Sequence, residues 1–241
     1  MKRLLWIAVP VTLALLVQGF REAIFVAPTE ATMGNIQRIF YYHVTSAWMA
    51  FLMFFLSFCA SVAYLIFRRS QPFRAEAADA FALATAELGV VFCSVVLISG
   101  PLWARPVWGI WWTWDERLTS TLMLWLIYVS YLLLRRFSAG AQSYTLAAVL
   151  SVFGFLDVPI VYMSTRWWRT QHPAPVIGGG PNSGLDPSMW PAVWWNLAAW
   201  FAWGMVLLTL RYQLERKRQR EAQESALRAL ESDLAMGSQE R

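Results

Sequence analysis

The chain has 241 residues, 58% of them hydrophobic and only 15% charged, with a formal net charge of +5. A soluble domain carries about 25% charged residues, so there is too little polar surface here to cover a water-facing globule, which excludes an ordinary cytosolic enzyme and a disordered chain. The pI near 9.5 does not mark a nucleic-acid binder either, because the Lys and Arg sit beside apolar runs rather than on one polar patch.

A bilayer core of about 30 Å needs about 20 apolar residues per helix. Six segments qualify as spans of an all-α, polytopic membrane protein, since every backbone group in lipid must be bonded internally. The first is Leu4–Phe20, preceded by Lys2-Arg3, a pattern shared by a membrane helix and a signal peptide. Next comes Tyr41-Tyr42-His43-Val44-Thr45-Ser46-Ala47-Trp48, at the mouth of the second span, Thr45–Phe67. The third span is Phe81–Gly100. Cys59 and Cys93 fall inside separate spans with no CxxC, and so read as small core residues.

The connection after the third span is Trp-rich: Trp108-Gly109-Ile110-Trp111-Trp112-Thr113-Trp114-Asp115. Helical spacing puts Trp108, Trp111, Trp112 and Asp115 on one face. Pro101 and Pro106 are expected to stop the third span, leaving a short amphipathic helix along the interface. Asp115 either caps the fourth span, Thr119–Leu134, or orients a ligand. The fifth span, Tyr144–Ser164, holds the intramembrane carboxylate Asp157; Glu87 in the third is similar, and each is a functional candidate or a bond to a neighbouring helix.

After it comes Trp167-Trp168-Arg169-Thr170-Gln171-His172-Pro173, then a glycine-rich loop from Gly178 to Gly184 that is no phosphate cradle, as no strand precedes it. The sixth span is Pro191–Leu210. Residues 211–241 alternate charges, with Leu227, Leu230 and Leu234 at helical spacing, and read as a helical tail distinct from the membrane domain of residues 1–210. No nucleotide-binding P-loop and no internal repeat occur.

Lys/Arg bias sets the orientation. With the N-terminus inside, 14 basic residues lie on the inner side and six on the outer, which predicts both termini cytoplasmic. An ordinary aromatic belt populates both interfaces, yet of the 15 tryptophans eight fall in outer connections and only Trp6 lies near the inner side. That asymmetry suits a platform for a flat, apolar, aromatic ligand. The only two histidines, His43 and His172, fall on the same side. Zinc prefers four ligands from Cys, His, Asp or Glu; two imidazoles beside indoles suit a porphyrin with iron between them better. Arg117, Arg166 and Arg169 are candidates for its propionates, or for lipid phosphates.

The segment from Trp108 to Thr119 resembles the "WWD" signature of haem-handling membrane proteins. The six-span layout and Val158-Pro159-Ile160-Val161-Tyr162, followed by Trp167 to His172, resemble the cytochrome c maturation protein C (haem exporter protein C) family over about Met33 to Arg211. The family often has Pro two residues after its first histidine; Thr45 stands there and is expected to cap the helix instead.

The resemblance implies haem b presented on the periplasmic face of the bacterial cytoplasmic (inner) membrane, with His43 and His172 as axial ligands. It implies that Trp108, Trp111, Trp112, Trp114 and Asp115 form the haem and chaperone surface. The implied partners are a periplasmic haem chaperone (the E component), an ABC transporter (A and B components) that supplies ATP hydrolysis, and a small membrane protein (D). The chain itself would then be a delivery component rather than an enzyme. A haem permease and an electron-carrying b-type cytochrome are the competing readings. Two histidines on one side provide at most one haem centre, and the spans offer few polar residues for a pathway.

Overall fold

The computed structural model describes residues 2–138, 140–176 and 184–239. Most of the glycine-rich segment, residues 178–183, lies outside them. The chain folds into α1 (Lys2–Arg21), α2 (Ile39–Phe67), α3 (Pro72–Trp108), α4 (Glu116–Phe137), α5 (Ala141–Phe155), α6 (Asp157–Trp167) and α7 (Trp190–Gln239). Short π and 3-10 turns at Glu22–Val26, Asn35–Arg38 and Pro187–Met189 complete it. Among the described residues there is no strand, only one isolated bridge between Glu30 and Gly34. Six helical segments are long and apolar enough to cross a membrane, α5 and α6 together making one of them.

The helices run up and down, so the α1–α2, α3–α4 and α6–α7 connections share one end of the bundle. The short α2–α3 and α4–α5 connections lie at the other, the first a tight turn at residues 68–71. The core lies between α2, α3, α4 and α5, where Phe54 stacks on Tyr128 with ring centres 4.0 Å apart. Gly89 of α3 lets the Phe54 ring approach so closely that no Cβ would fit between them. α1 docks on α7 through the buried Asn196, whose Nδ2 donates to the carbonyl of Gly19 at 3.0 Å. Trp200 Nε1 donates to Ser46 Oγ at 2.8 Å and ties α7 to α2. At the turn-closed end, Arg135 of α4 and Asp79 of α3 form a two-pronged ion pair at 2.8 and 2.9 Å.

Several boundaries differ from expectation. α3 continues through Pro101 and Pro106 to Trp108, because each proline costs only one intrahelical bond and the surrounding helices hold the rest. It stops at Gly109, whose φ of +79° is a left-handed conformation that side chains disfavour. Residues 109–115 are then irregular, so the expected short Trp-rich helix does not form. Asp115 instead takes an extended conformation and its carboxylate accepts from Leu118 N at 2.9 Å, capping α4. Thr45 is no cap. α2 begins six residues earlier, and the Thr45 hydroxyl donates back to the carbonyls of Tyr41 and Tyr42. The fifth span breaks at Leu156 because Pro159 cannot donate to the carbonyl of Phe155 and its ring crowds that oxygen.

Candidate functional site

At the end of the bundle shared by the three long connections lies a cavity of about 710 Å³, within the range of roughly 300–1,000 Å³ typical of small-molecule and cofactor sites. It is lined by α2 (Phe40, His43, Trp48), the end of α3 (Trp103, Trp108), the start of α4 (Arg117), and the loop carrying His172. Each position follows from helix geometry: His43 sits one turn into α2, and Trp103 and Trp108 lie on the last two turns of α3.

The two histidines meet here, although 129 residues of sequence separate them. Their ring centres are 6.3 Å apart and the planes differ by 32°. A metal held at about 2.0–2.1 Å by one nitrogen of each ring would fit between rings at this spacing. The other ring nitrogens are occupied. His43 Nδ1 lies 2.9 Å from Ser99 Oγ on α3, and His172 Nδ1 lies 2.8 Å from the Pro173 carbonyl. A carbonyl only accepts, so His172 carries its proton on Nδ1 and leaves the Nε2 lone pair free. Burial, reinforced by the positive charge of Arg117, pushes the His172 pKa down to about 4, so this imidazole is neutral at pH 7.

The tryptophans divide. Trp108 and Trp112 line the cavity. Trp108 packs edge-on against Trp103 at 5.0 Å, and Trp112 Nε1 is buried with no hydrogen-bond partner. Trp111 and Trp114 turn outward, 56% and 77% exposed, with Trp111 under the Arg105 guanidinium and Trp114 edge-on to Trp112. Loss of the expected helix accompanies the split: a helix would have put Trp108, Trp111 and Trp112 on one face, whereas the irregular segment 109–115 turns Trp111 away from the cavity that Trp112 lines.

The arginines divide too. Arg117 is the one Lys or Arg among the described lining residues. Its Nη1 donates to the carbonyls of Val161 and Tyr162 at 2.9 and 3.3 Å, anchoring the end of α6. Arg166 packs over the Tyr162 ring and donates to Met163 Sδ, and Arg169 is exposed; both lie off the cavity wall. Asp115 also lies off it, committed to its cap and to Thr113. Of the intramembrane carboxylates, Glu87 pairs with Arg211, and Asp157 starts α6 with one oxygen buried and unpartnered. No cluster of three or more His, Cys, Asp or Glu suited to a metal ion occurs among the described residues.

Ser99 is a contact of the site that the sequence did not mark, and Trp48 and Trp103 counted there only toward the outer Trp excess, with no individual role. A serine near the end of an apolar span carries no such mark.

A multi-span helical membrane protein with an apolar cavity and two facing imidazoles at one end is the class that fold and site define. The family model described as Heme exporter protein C (CcmC) matches residues 1–227. Curated relatives agree. Heme exporter protein C of Bradyrhizobium diazoefficiens is 32% identical over 98% of this chain and 88% of its own. Heme exporter protein C of Escherichia coli K12 is 30% identical over 88% of this chain and 81% of its own. That of Haemophilus influenzae is 32% identical over 67% and 63% respectively. The chain belongs to the Heme exporter protein C family.

Proposed function

We propose that the chain is a haem-presenting component of cytochrome c maturation. It binds haem b as cargo, with His43 and His172 as axial ligands, and passes it to a periplasmic haem chaperone. The observation that carries this reading is the 6.3 Å separation of the only two histidine rings inside a largely apolar cavity. Trp108 and Trp112 would flank the macrocycle through offset or edge contacts. Arg117 would pair with a propionate through the N–H groups not spent on α6. Arg166 and Arg169, off the wall, suit lipid phosphates instead, while exposed Trp111 and Trp114 suit the chaperone.

In this reading the site end faces the periplasm from the bacterial inner membrane and both termini are cytoplasmic, in line with the Lys/Arg bias. Residues 1–210 form the membrane domain and 211–241 a charged cytoplasmic tail. The A and B components of an ABC transporter would supply ATP hydrolysis, with the small D component beside them. The chain delivers haem rather than transforming it. Absorption spectra of the purified protein test the reading. His43→Ala and His172→Ala should each lower haem occupancy or shift the Soret band; unchanged spectra in both would refute it.

A further inference from the structure

Ser99 stands opposite His43 between α2 and α3, the most extensively packed pair of helices. Its Oγ lies 2.6 Å from the Val95 carbonyl and 2.9 Å from His43 Nδ1. A hydroxyl has one proton, and the Val95 oxygen can only accept it. The hydroxyl therefore donates down its own helix and offers only lone pairs to the imidazole, so His43 Nδ1–H is the donor. We propose that Ser99 is a positioning residue for haem: by accepting from Nδ1 it fixes the His43 tautomer and leaves the Nε2 lone pair for iron. Its role toward haem rests on the reading given under Proposed function; its role toward the ring does not.

The physical argument is a general one. A neutral imidazole has one donor and one acceptor nitrogen, and the partner of the first decides which nitrogen can ligate. Such partners also fix ring orientation and raise ligand basicity, and losing one typically costs about 10–100-fold in metal affinity. At His172 the partner is the Pro173 carbonyl, which no side-chain substitution removes. At His43 it is a side chain, so this half of the site is the one open to mutation. Ser99 lies on α3, which the close approach of Gly89 and Phe54 packs against the helix that carries His43.

With only two histidines in the chain, the full-length protein labelled with 15N-histidine in lipid nanodiscs gives two ring signals, and His43→Gln assigns them. Both rings are expected as the Nδ1–H tautomer in the absence of haem. Ser99→Ala should take the His43 ring alone out of that form and weaken titrated ferric haem about 10–100-fold; Ser99→Thr should restore both. An unmoved His43 ring in Ser99→Ala, in a chain that still binds haem, overturns the assignment. No haem binding by the wild-type chain overturns the reading of the site, and Ser99's role toward haem with it, whatever the ring signals show.

Discussion

His172 is held neutral by what surrounds it. Burial disfavours its charged form, Arg117 adds repulsion, and the Pro173 hydrogen bond and Asp115 charge oppose them only in part. Its folded-state pKa of about 4 lies below the ordinary 6.5, so in the window between them the unfolded chain takes up the proton and the folded one does not. The stability contributed by the neutral ring is complete above pH 6.5 and is lost as pH falls toward 4. In the proposed reading, iron would compete with the same proton. Haem affinity, measured by absorbance titration, should hold from pH 8 down to about 5 and weaken only near 4. A decline centred on pH 6.5 would mean that the ring is solvated and ordinary.

At this scale the sequence was informative where residue types were scarce. Two histidines and an asymmetric set of tryptophans could be placed by span topology alone, and both histidines are at the cavity. What stayed hidden was direction. Whether Trp111 or Trp112 faces inward depends on the conformation of seven irregular residues, and whether Ser99 faces α2 depends on how two helices are rotated against each other.

Among the elements, apolar length located all six spans, because hydrocarbon leaves the backbone no alternative to helix. Ends were harder. Pro101 and Pro106 look like stop signals, but a membrane helix tolerates them, while Gly109 and Pro159 do interrupt theirs. The partners in interhelical polar ties were not legible in the sequence, being spread across distant segments: a bond from Glu87 to a neighbouring helix was one of its two readings, but Arg211 was not marked as the partner. The strongest is Asp79 with Arg135, whose side chains are only 7% and 8% exposed. Removing one partner of a buried pair strands the other's charge and costs about 3–5 kcal/mol, whereas replacing both with apolar residues of similar volume is often neutral. In thermal unfolding of the detergent-solubilised protein, Asp79→Leu should be strongly destabilised and Asp79→Leu with Arg135→Met largely recovered. A double variant no better than the single would show that the pair is net stabilising.

For the whole molecule, the helix packing draws three connections to a common end and leaves a cavity there, beside a small apolar cluster that includes Ala23, Tyr41, Met189 and Val193. Phe54, Tyr128 and Phe92 fill the middle of the bundle. α7 continues as one helix to Gln239, held against the start of α3 where Gln223 donates to Glu76 at 2.7 Å, and exposed over residues 224–232. The bundle thus fixes the two histidine-bearing segments independently, His43 on a helix and His172 on a loop, and only the folded assembly sets their spacing. The central claim is that both rings bind one iron. Electron–nuclear double resonance of the ferric haem complex, with 15N confined to histidine, counts the coordinating imidazoles directly. Two strongly coupled histidine nitrogens are predicted in the wild-type chain and one in either His43→Ala or His172→Ala; a single coupled nitrogen in the wild type, or none, would contradict the claim.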